Sequence, residues 1–250
     1  MTRSIQYRVS GPPKFAPAVV SLILASIWNT ALAERRSALP SPEQPSDAYL
    51  PASHFRGAPS GRSIVRRGPF TSVQVNVDRN GRNIIGDAAN EPSIAFNITD
   101  PTRMAIGWRQ FDNVASNFRQ AGWSYSHDAG RTWTFPGVIE PGVFRSDPVL
   151  GESPDGALYF YSLTSNGPTL DTFECTFFKS PDGGTTWNGG VYAFGGDKAW
   201  MTVDKTNGPG RGHIYAYWTR FYSCCNTGNF TRSVDGGKSF EEPITLPGDP

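Results

Sequence analysis

Short runs of alternating apolar and polar residues follow one another along the chain from residue 71 onward, and the first is TSVQVNV at 71–77. Alternation with a period of two predicts β-strands that have one buried face. Beyond this run, runs of four kinds recur three times in a fixed order. The first kind, which begins with an acid, lies at 91–96, 147–151 and 197–203; the second, rich in aromatic residues, at 103–111, 157–163 and 212–221; the third at 121–126, 175–180 and 229–233; the fourth at 132–139, 186–194 and 239–246.

The third run of each repeat leads into a similar octapeptide: SHDAGRTW at 126–133, SPDGGTTW at 180–187 and SVDGGKSF at 233–240. The aspartates of the octapeptides are 54 and 53 residues apart, and the acids that begin the first runs, Glu91, Asp147 and Asp197, are 56 and 50 residues apart. Two independent markers that share a period of roughly fifty residues, with four strands per period, predict the antiparallel blades of an all-β propeller. A β-sandwich is the alternative, but it predicts no turn motif in a fixed phase.

Each octapeptide has the composition of a tight hairpin turn. A glycine there adopts the positive φ that other residues resist, and an aspartate accepts hydrogen bonds from nearby backbone amides. The final aromatic ring packs into the sheet. We therefore expect a structural role for the residues of these turns: Ser126, Asp128, Gly130 and Trp133; Ser180, Asp182, Gly184 and Trp187; Ser233, Asp235, Gly237 and Phe240.

The spacing of the repeats continues to the last three residues. GDP at 248–250 matches SDP at 146–148, and Asp249 falls 52 residues after Asp197. Propellers have about four to eight blades and close into a ring that protects their strand edges. We therefore expect about three blades here, as the N-terminal fragment of a propeller with about six or seven blades. A short protein that closes the ring by oligomerising is the alternative.

The N-terminal 33 residues have the features of an export signal. Basic residues precede an apolar run at 16–28 that is too short to span a bilayer comfortably, and Ala-Leu-Ala at 31–33 is a small-residue cleavage site. We expect residues 1–33 to be a signal peptide, with an uncleaved membrane anchor as the alternative. Residues 34–70, rich in Pro, Ser and Arg, predict a flexible leader before the propeller blades at 71–250. The mature protein is then secreted, periplasmic or at the cell surface, without a membrane span.

The net charge of the chain limits the classes of ligand that it can bind. The net charge of +1 argues against nucleic acid as a partner, because such binding relies on many Lys and Arg contacts to phosphate.

Three cysteines suit an oxidising compartment. We expect Cys175 to pair with Cys224 or Cys225; a bond between Cys224 and Cys225, or free thiols, are the alternatives. A metal site is not predicted, because no paired His stands near these cysteines at ligand spacing.

Four acids, Glu91, Asp147, Asp197 and Asp249, each begin the first run of a repeat. If that run is the innermost strand of a blade, the four carboxylates surround the central channel at one mouth. There they can bind a Ca²⁺ ion, bind the hydroxyls of a sugar, or act in pairs as acid and base in glycoside cleavage. The alternative is structural: each acid accepts a backbone N–H or pairs with a basic residue of the next blade, for which Arg145 and Lys198 are close in sequence.

Aromatic side chains on the predicted strands are further candidates for contact with sugars. They can stack on sugar rings or pack between blades. Alternation favours packing for most of them: Trp108, Trp123, Tyr159, Tyr161, Trp200, Tyr215, Tyr217 and Trp218.

The pattern Ser-x-Asp-x-Gly-x-Thr-Trp resembles the Asp-box, or BNR, repeat of sialidases and sialidase-like β-propellers, over about residues 85–250. The segments NEPSIAF, GWRQFD and GGDKAWMTVD resemble a secreted bacterial branch of that group. The resemblance implies a glycan or glycoconjugate as ligand and no cofactor. If the chain is an enzyme, the resemblance implies an exo-sialidase or a related glycoside hydrolase. A non-catalytic extracellular scaffold or adhesion propeller is the alternative.

The resemblance also implies candidate site residues. Sialidases bind the substrate carboxylate with three arginines, and Glu91, of opposite charge, stands here in the place of the first. Arg109, on the following strand, falls where the second arginine is expected, and Asp112 falls near the place of the acid/base aspartate. The third arginine and the Tyr–Glu nucleophile pair belong to later blades. Arg109 and Asp112 are therefore the candidate catalytic residues.

Overall fold

The computed structural model describes residues 47–50, 64–165 and 172–247, which contain thirteen β-strands and no helix. Nothing in those ranges forms a helix of the length and hydropathy that a membrane crossing requires. The predicted signal peptide at 1–33 and Asp249 lie outside the described residues. The strands are β1 (Ile64–Arg67), β2 (Phe70–Val73), β3 (Ala88–Phe96), β4 (Met104–Phe111), β5 (Arg119–Ser126), β6 (Thr134–Ile139), β7 (Ser146–Glu152), β8 (Leu158–Ser165), β9 (Phe173–Ser180), β10 (Val191–Tyr192), β11 (Trp200–Val203), β12 (Ile214–Tyr217) and β13 (Phe230–Ser233).

Three antiparallel sheets follow one another along the chain. Blade 1 contains β3 to β6, blade 2 contains β7 to β10, and blade 3 contains β11 to β13, each with its strands paired in chain order. This meander confirms the all-β prediction of successive antiparallel blades. In the described part of the chain the three sheets do not close into a ring. β1 and β2 form a separate hairpin, so residues 64–67 of the predicted leader are paired.

Two of the predicted fourth strands are shorter than the sequence pattern suggests. In blade 2 the strand β10 contains only Val191 and Tyr192; Gly189 and Gly190 precede them, and glycine weakens a strand. In blade 3 the run at 239–246 forms no described strand, and a single bridge joins its Ile244 to β13. Pro243 stands beside that bridge and has no N–H to donate to a neighbouring strand.

The blades pack face to face in sequence, and blade 2 lies between the other two. Side chains of β8 therefore point alternately toward blade 1 and toward blade 3, and seven of its eight residues are buried. One apolar cluster joins blades 1 and 2 and contains Ala95, Ala105, Ala121, Ile139, Leu150, Leu158, Phe160 and Phe178. A second joins blades 2 and 3 and includes Tyr159, Tyr161, Leu163, Phe173, Phe177, Met201, Val203, Ile214 and Ala216.

The innermost strands of the three blades lie beside one another. β3 contacts β7, and β7 contacts β11. Three sheets stacked in series with their first strands together are arranged as propeller blades, whereas a sandwich packs two sheets as two layers. The first residues of equivalent strands are thereby brought to the same end of the molecule.

A serine hydroxyl organises each octapeptide turn. In blade 2, Ser180 Oγ donates to Asp182 Oδ1 at 2.8 Å and accepts the backbone N–H of Gly184 at 2.8 Å. Asp182 in turn accepts the backbone N–H and the hydroxyl of Thr186, at 3.0 and 2.6 Å. The same contacts recur in blade 1 around Ser126 and Asp128 and in blade 3 around Ser233 and Asp235.

The backbone conformation of each turn requires a glycine. In the second and third turns there is also no room for a Cβ atom at this position. Gly184 and Gly237 have φ values of +90° and +86°. A Cβ atom at Gly184 would lie 2.7 Å from Ala105 of blade 1, and one at Gly237 would lie 2.1 Å from the Phe177 ring of blade 2. The turns therefore also contact the preceding blade. Phe240 adds to this by packing on Phe177 at 5.4 Å between ring centroids.

The predicted disulfide from Cys175 to Cys224 or Cys225 is wrong, because the bond joins Cys224 to Cys225. Cys175 is a free cysteine on β9 whose side chain faces the core between blades 2 and 3. Burial raises the pKa of its thiol to about 12. A Cβ atom at Gly195 would lie 2.5 Å from Cys175 Sγ, so the backbone of Gly195 packs directly against the thiol.

We predict that Ser180→Ala lowers the free energy of unfolding by about 1–3 kcal/mol, because the buried N–H of Gly184 loses its acceptor and Asp182 loses a donor. Urea unfolding followed by circular dichroism measures the difference. The exposed Ser72 of β2 provides the control, and Ser72→Ala should change the value by less than about 0.5 kcal/mol. Equal effects of the two substitutions would contradict the structural role of the turn serine.

We also predict that the turns make stability depend on acid pH. Hydrogen bonds from the backbone and hydroxyl of Thr132 lower the pKa of Asp128 to about 2. For Asp235, burial raises the pKa, but hydrogen bonds from Ser239 and Ser233 outweigh burial and lower it to about 2. The unfolded pKa is about 3.9, so this stabilisation is complete above that pH and is lost as the pH falls toward about 2.

Replacing both aspartates, by Asp128→Asn and Asp235→Asn, should therefore destabilise the protein most at neutral pH. Urea unfolding at several pH values between about 7 and about 2 measures the difference from the wild type, which should shrink below about pH 4. Asp155→Asn, at an exposed position outside the turns, is the control. A difference that stays constant over this range would show that the two carboxylates do not carry the effect.

Candidate functional site

A cavity of about 370 Å³ opens where the innermost strands of the three blades begin. Its lining consists of one tripeptide from each blade: Glu91-Pro92-Ser93, Asp147-Pro148-Val149 and Lys198-Ala199-Trp200. We call this the mouth cavity. Equivalent segments of three blades thus supply all of its lining residues.

The strand register explains why these segments are equivalent. The serines of the octapeptide turns pair with the first residues of the second strands, as Ser180 does with Leu158. Three positions further along the second strand, the partner on the innermost strand is Ser93 in blade 1, Val149 in blade 2 and Trp200 in blade 3. The tripeptides of the mouth cavity end on these three residues.

A backbone irregularity repeats two residues before each of those positions. Glu91, Asp147 and Lys198 have φ values of 52°, 44° and 53°, in the left-handed region that non-glycine residues seldom adopt. In blades 1 and 2 this residue lies in a β-bulge. Such strain is of order 1 kcal/mol per residue and is concentrated at functional sites in many proteins. Its repetition around one cavity marks this end of the blades as the candidate site.

The structure corrects the predicted ring of acids by one residue in blade 3. Lys198, and not Asp197, takes the position of Glu91 and Asp147. Asp197 lies just before it, and its backbone carbonyl accepts the N–H of Thr219 at 3.0 Å. The prediction aligns the acids of the three repeats, whereas the equivalent backbone position in blade 3 holds the residue that follows Asp197. The fourth predicted acid, Asp249, is outside the described residues.

Glu91 is paired within its own blade. Its Oε1 lies 3.1 Å from the guanidinium NH2 of Arg109, and Arg109 Nε donates to Asn90 Oδ1 at 2.8 Å. Asn90 and Arg109 are directly opposed in the β3–β4 register. Arg109, a candidate catalytic residue, therefore contacts Glu91, which lines the mouth cavity.

Asp147 contacts the next blade, which agrees with the structural alternative stated above for the four acids. Its Oδ2 accepts the backbone N–H of Lys198 at 2.9 Å, and its Oδ1 lies 3.8 Å from Lys198 Nζ. Arg145, the other basic residue considered, pairs instead with Glu140. No group of three or more His, Cys, Asp or Glu residues that could hold a metal ion occurs among the described residues.

Trp200 is the most exposed of the predicted aromatic residues. Its side chain is 68% exposed on the rim of the mouth cavity, whereas Trp108, Tyr159, Tyr161 and Trp218 are all buried. A large exposed indole in contact with a cavity is an unusual arrangement for a residue that contributes only to packing. Its ring can stack on a flat ligand at the cavity.

Asp112 lies in a second cavity, of about 450 Å³, on blade 1. We call this the Asp112 cavity; Asp87, Gln110, Gln120, Phe111 and Phe135 are among its lining residues. The structure thus separates the two candidate catalytic residues, because Arg109 contacts Glu91 at the mouth cavity and Asp112 lines this one. The sequence pattern does not identify Asp87 as a candidate site residue, because Asp87 precedes the first strand of its blade.

Both carboxyl groups of the Asp112 cavity have raised pKa values because burial disfavours their charged forms. Hydrogen bonds oppose the shift in each case. Gln120 donates to Asp112 Oδ1 at 3.1 Å, and Gln110 donates to Asp87 Oδ1 at 2.5 Å. A raised pKa shifts a carboxyl group toward the protonated form that a general acid requires.

A short segment from the predicted leader covers part of the Asp112 cavity. The backbone N–H of Leu50 donates to Asp112 Oδ2 at 2.6 Å. Asp47 and Asn117 exchange two hydrogen bonds, of 3.0 and 2.7 Å, and the ring of Tyr49 packs on Phe118. The polarity pattern of the leader gave no indication of these contacts, because they join residues more than sixty positions apart.

Comparison with known proteins finds likeness only at the level of structure. No protein-family model matches the chain, and no curated protein sequence matches it. The Hadza microbial sialidase has a TM-score of 0.46 and 13% identity, over 71% of this chain and 38% of the sialidase. The intramolecular trans-sialidase of Ruminococcus gnavus, in complex with oseltamivir carboxylate, has a TM-score of 0.38 and 18% identity, over 75% of this chain and 39% of that enzyme.

A leech intramolecular trans-sialidase gives a similar result, with a TM-score of 0.39 and 18% identity over 58% of this chain and 22% of the enzyme. The chain therefore spans well under half the length of these three structures. Because all three TM-scores are below 0.5, the assignment of propeller blades rests on the strand order, register and packing of this chain itself.

Proposed function

We propose that this chain is an exported, sialidase-like propeller that binds glycans or glycoconjugates in its mouth cavity. Export is inferred from the signal-peptide pattern at 1–33. The observation that carries the binding proposal is the exposed indole of Trp200 beside a cavity whose rim also holds a carboxylate and an ammonium group.

The chemistry of the rim suits a sugar. A pyranose ring has an apolar face that packs on an indole, and hydroxyl groups that both donate and accept hydrogen bonds. Glu91 offers carboxylate acceptors and Lys198 offers ammonium donors, and both residues line the same cavity. The volume of about 370 Å³ lies in the range of small-molecule sites.

Trp200→Ala should weaken binding of the glycan that is bound best on a glycan microarray by about tenfold or more, because the stacking surface is lost. Isothermal titration calorimetry then gives the dissociation constants. Phe221→Ala, which removes another exposed aromatic ring outside the lining of the cavity, is the control and should leave the affinity unchanged.

Two results would count against this function. Equal losses of affinity from Trp200→Ala and Phe221→Ala would indicate that the glycan binds outside the mouth cavity. A folded protein that binds no glycan on the array would favour the alternative of a non-catalytic scaffold or adhesion propeller.

A glycoside hydrolase is the second candidate, favoured by the two carboxyl groups of the Asp112 cavity. Both have raised pKa values, and a protonated carboxyl can give its proton to the leaving oxygen of a glycoside while a second carboxylate assists at the sugar. Aromatic rings of Phe111 and Phe135 line the same cavity and can pack on the sugar ring.

If this second function is correct, the chain releases fluorophore from one of a panel of fluorogenic glycosides that includes a sialoside. Asp112→Asn should then reduce the rate by roughly 100-fold or more, because the proton donor is lost. Asp155→Asn, at an exposed aspartate outside the cavity, is the control. Activity that survives Asp112→Asn would exclude Asp112 as the proton donor.

A further inference from the structure

The charges around the mouth cavity come in opposite pairs. In the first pair the carboxylate is the more exposed partner, since the side chain of Glu91 is 40% exposed and that of Arg109 is 10% exposed. A ligand that enters the cavity from this side therefore meets the carboxylate first. The guanidinium beneath it is held by Glu91 and Asn90.

In the second pair the exposure is reversed. The side chain of Asp147 is 7% exposed, and that of Lys198 is 52% exposed. Asp147 is further fixed by the backbone N–H of Lys198 and by the hydroxyl of Ser146, which donates to Oδ1 at 3.0 Å. The rim therefore presents one carboxylate, from Glu91, and one ammonium, from Lys198.

This arrangement disfavours a ligand that carries a net charge. A carboxylate on the ligand gains from Lys198 but is repelled by Glu91, and it can reach the guanidinium of Arg109 only by displacing Glu91. Displacement breaks the ion pair between Glu91 and Arg109 until the carboxylate of the ligand replaces Glu91. A neutral ligand keeps both ion pairs intact and uses the remaining acceptor sites of Glu91 and donor sites of Lys198.

We infer that the mouth cavity selects neutral sugars, such as hexoses and N-acetylhexosamines, over sugars that carry a carboxylate. This inference rests on the proposed glycan-binding function and names the class of sugar. Glu91 is the specificity-determining residue, because it occupies Arg109 and places a negative charge on the rim. Trp200 contributes affinity for both classes of sugar through stacking, and the ion pairs discriminate between them.

The experiment compares matched pairs of glycans on one array, each pair consisting of a neutral oligosaccharide and the same oligosaccharide with a terminal sialic acid or uronic acid. Calorimetry on the pair that is bound best gives two dissociation constants for the wild-type chain. The neutral member should bind roughly tenfold or more tightly than the carboxylated one. Tighter or equal binding of the carboxylated member would overturn the inference.

Glu91→Gln tests the cause of the selectivity. The substitution removes the negative charge and releases Arg109 from its ion pair, so affinity for the carboxylated member should rise by roughly tenfold, while affinity for the neutral member should change by less than about threefold. Glu152→Gln is the control, because Glu152 likewise forms an ion pair, with Lys205 of the next blade, but does not line the cavity. An unchanged ratio in a folded Glu91→Gln variant would overturn the role of Glu91.

The failure of the inference and that of the proposed function are distinguishable. If no glycan on the array binds, glycan binding itself is wrong, and the inference falls with it. If glycans bind and carboxylated members are preferred, the function stands and the inference is wrong. Thermal unfolding shows whether the Glu91→Gln variant is folded. The ratio of the two dissociation constants of the wild-type chain tests the inference even if the variant does not fold.

Discussion

The hydroxyl of one serine per blade is the contact on which the rest of the structure depends. Ser126, Ser180 and Ser233 each donate to an aspartate two residues later and accept a glycine amide four residues later, and so fix the turn that follows the third strand of their blade. Each serine also pairs with the first residue of the second strand. The turn therefore sets the register of the blade from its outer strands to its innermost one.

A shared register brings equivalent residues of successive blades to one place. Glu91, Asp147 and Lys198 occupy the same backbone position and the same left-handed conformation, yet their side chains differ. The turns repeat nearly unchanged because they fold the blade, whereas the innermost positions vary because nothing in the folding of a blade requires one particular side chain there. That difference separates structural residues from candidate binding residues in this chain.

Much of the fold could be predicted because its determinants are local and periodic. The octapeptides and the alternating runs identify the blades, and twelve of the thirteen described strands, β2 to β13, fall within or beside the predicted runs. The site is harder to predict, because the sequence pattern marks the acids, whereas the equivalent backbone position in blade 3 holds Lys198, the residue after Asp197. The Cys224–Cys225 bond, the approach of Asp87 and the hydrogen bond from Leu50 to Asp112 all depend on tertiary contacts that the local pattern does not encode.

A crystal structure of the chain with a bound neutral oligosaccharide tests the central claim most directly, since it locates both the register and the ligand. The account predicts a sugar ring stacked on Trp200, with hydroxyl groups within hydrogen-bond distance of Glu91 and Lys198. Asp197 in the place of Lys198, or an ordered sugar bound elsewhere with the mouth cavity empty, would contradict it.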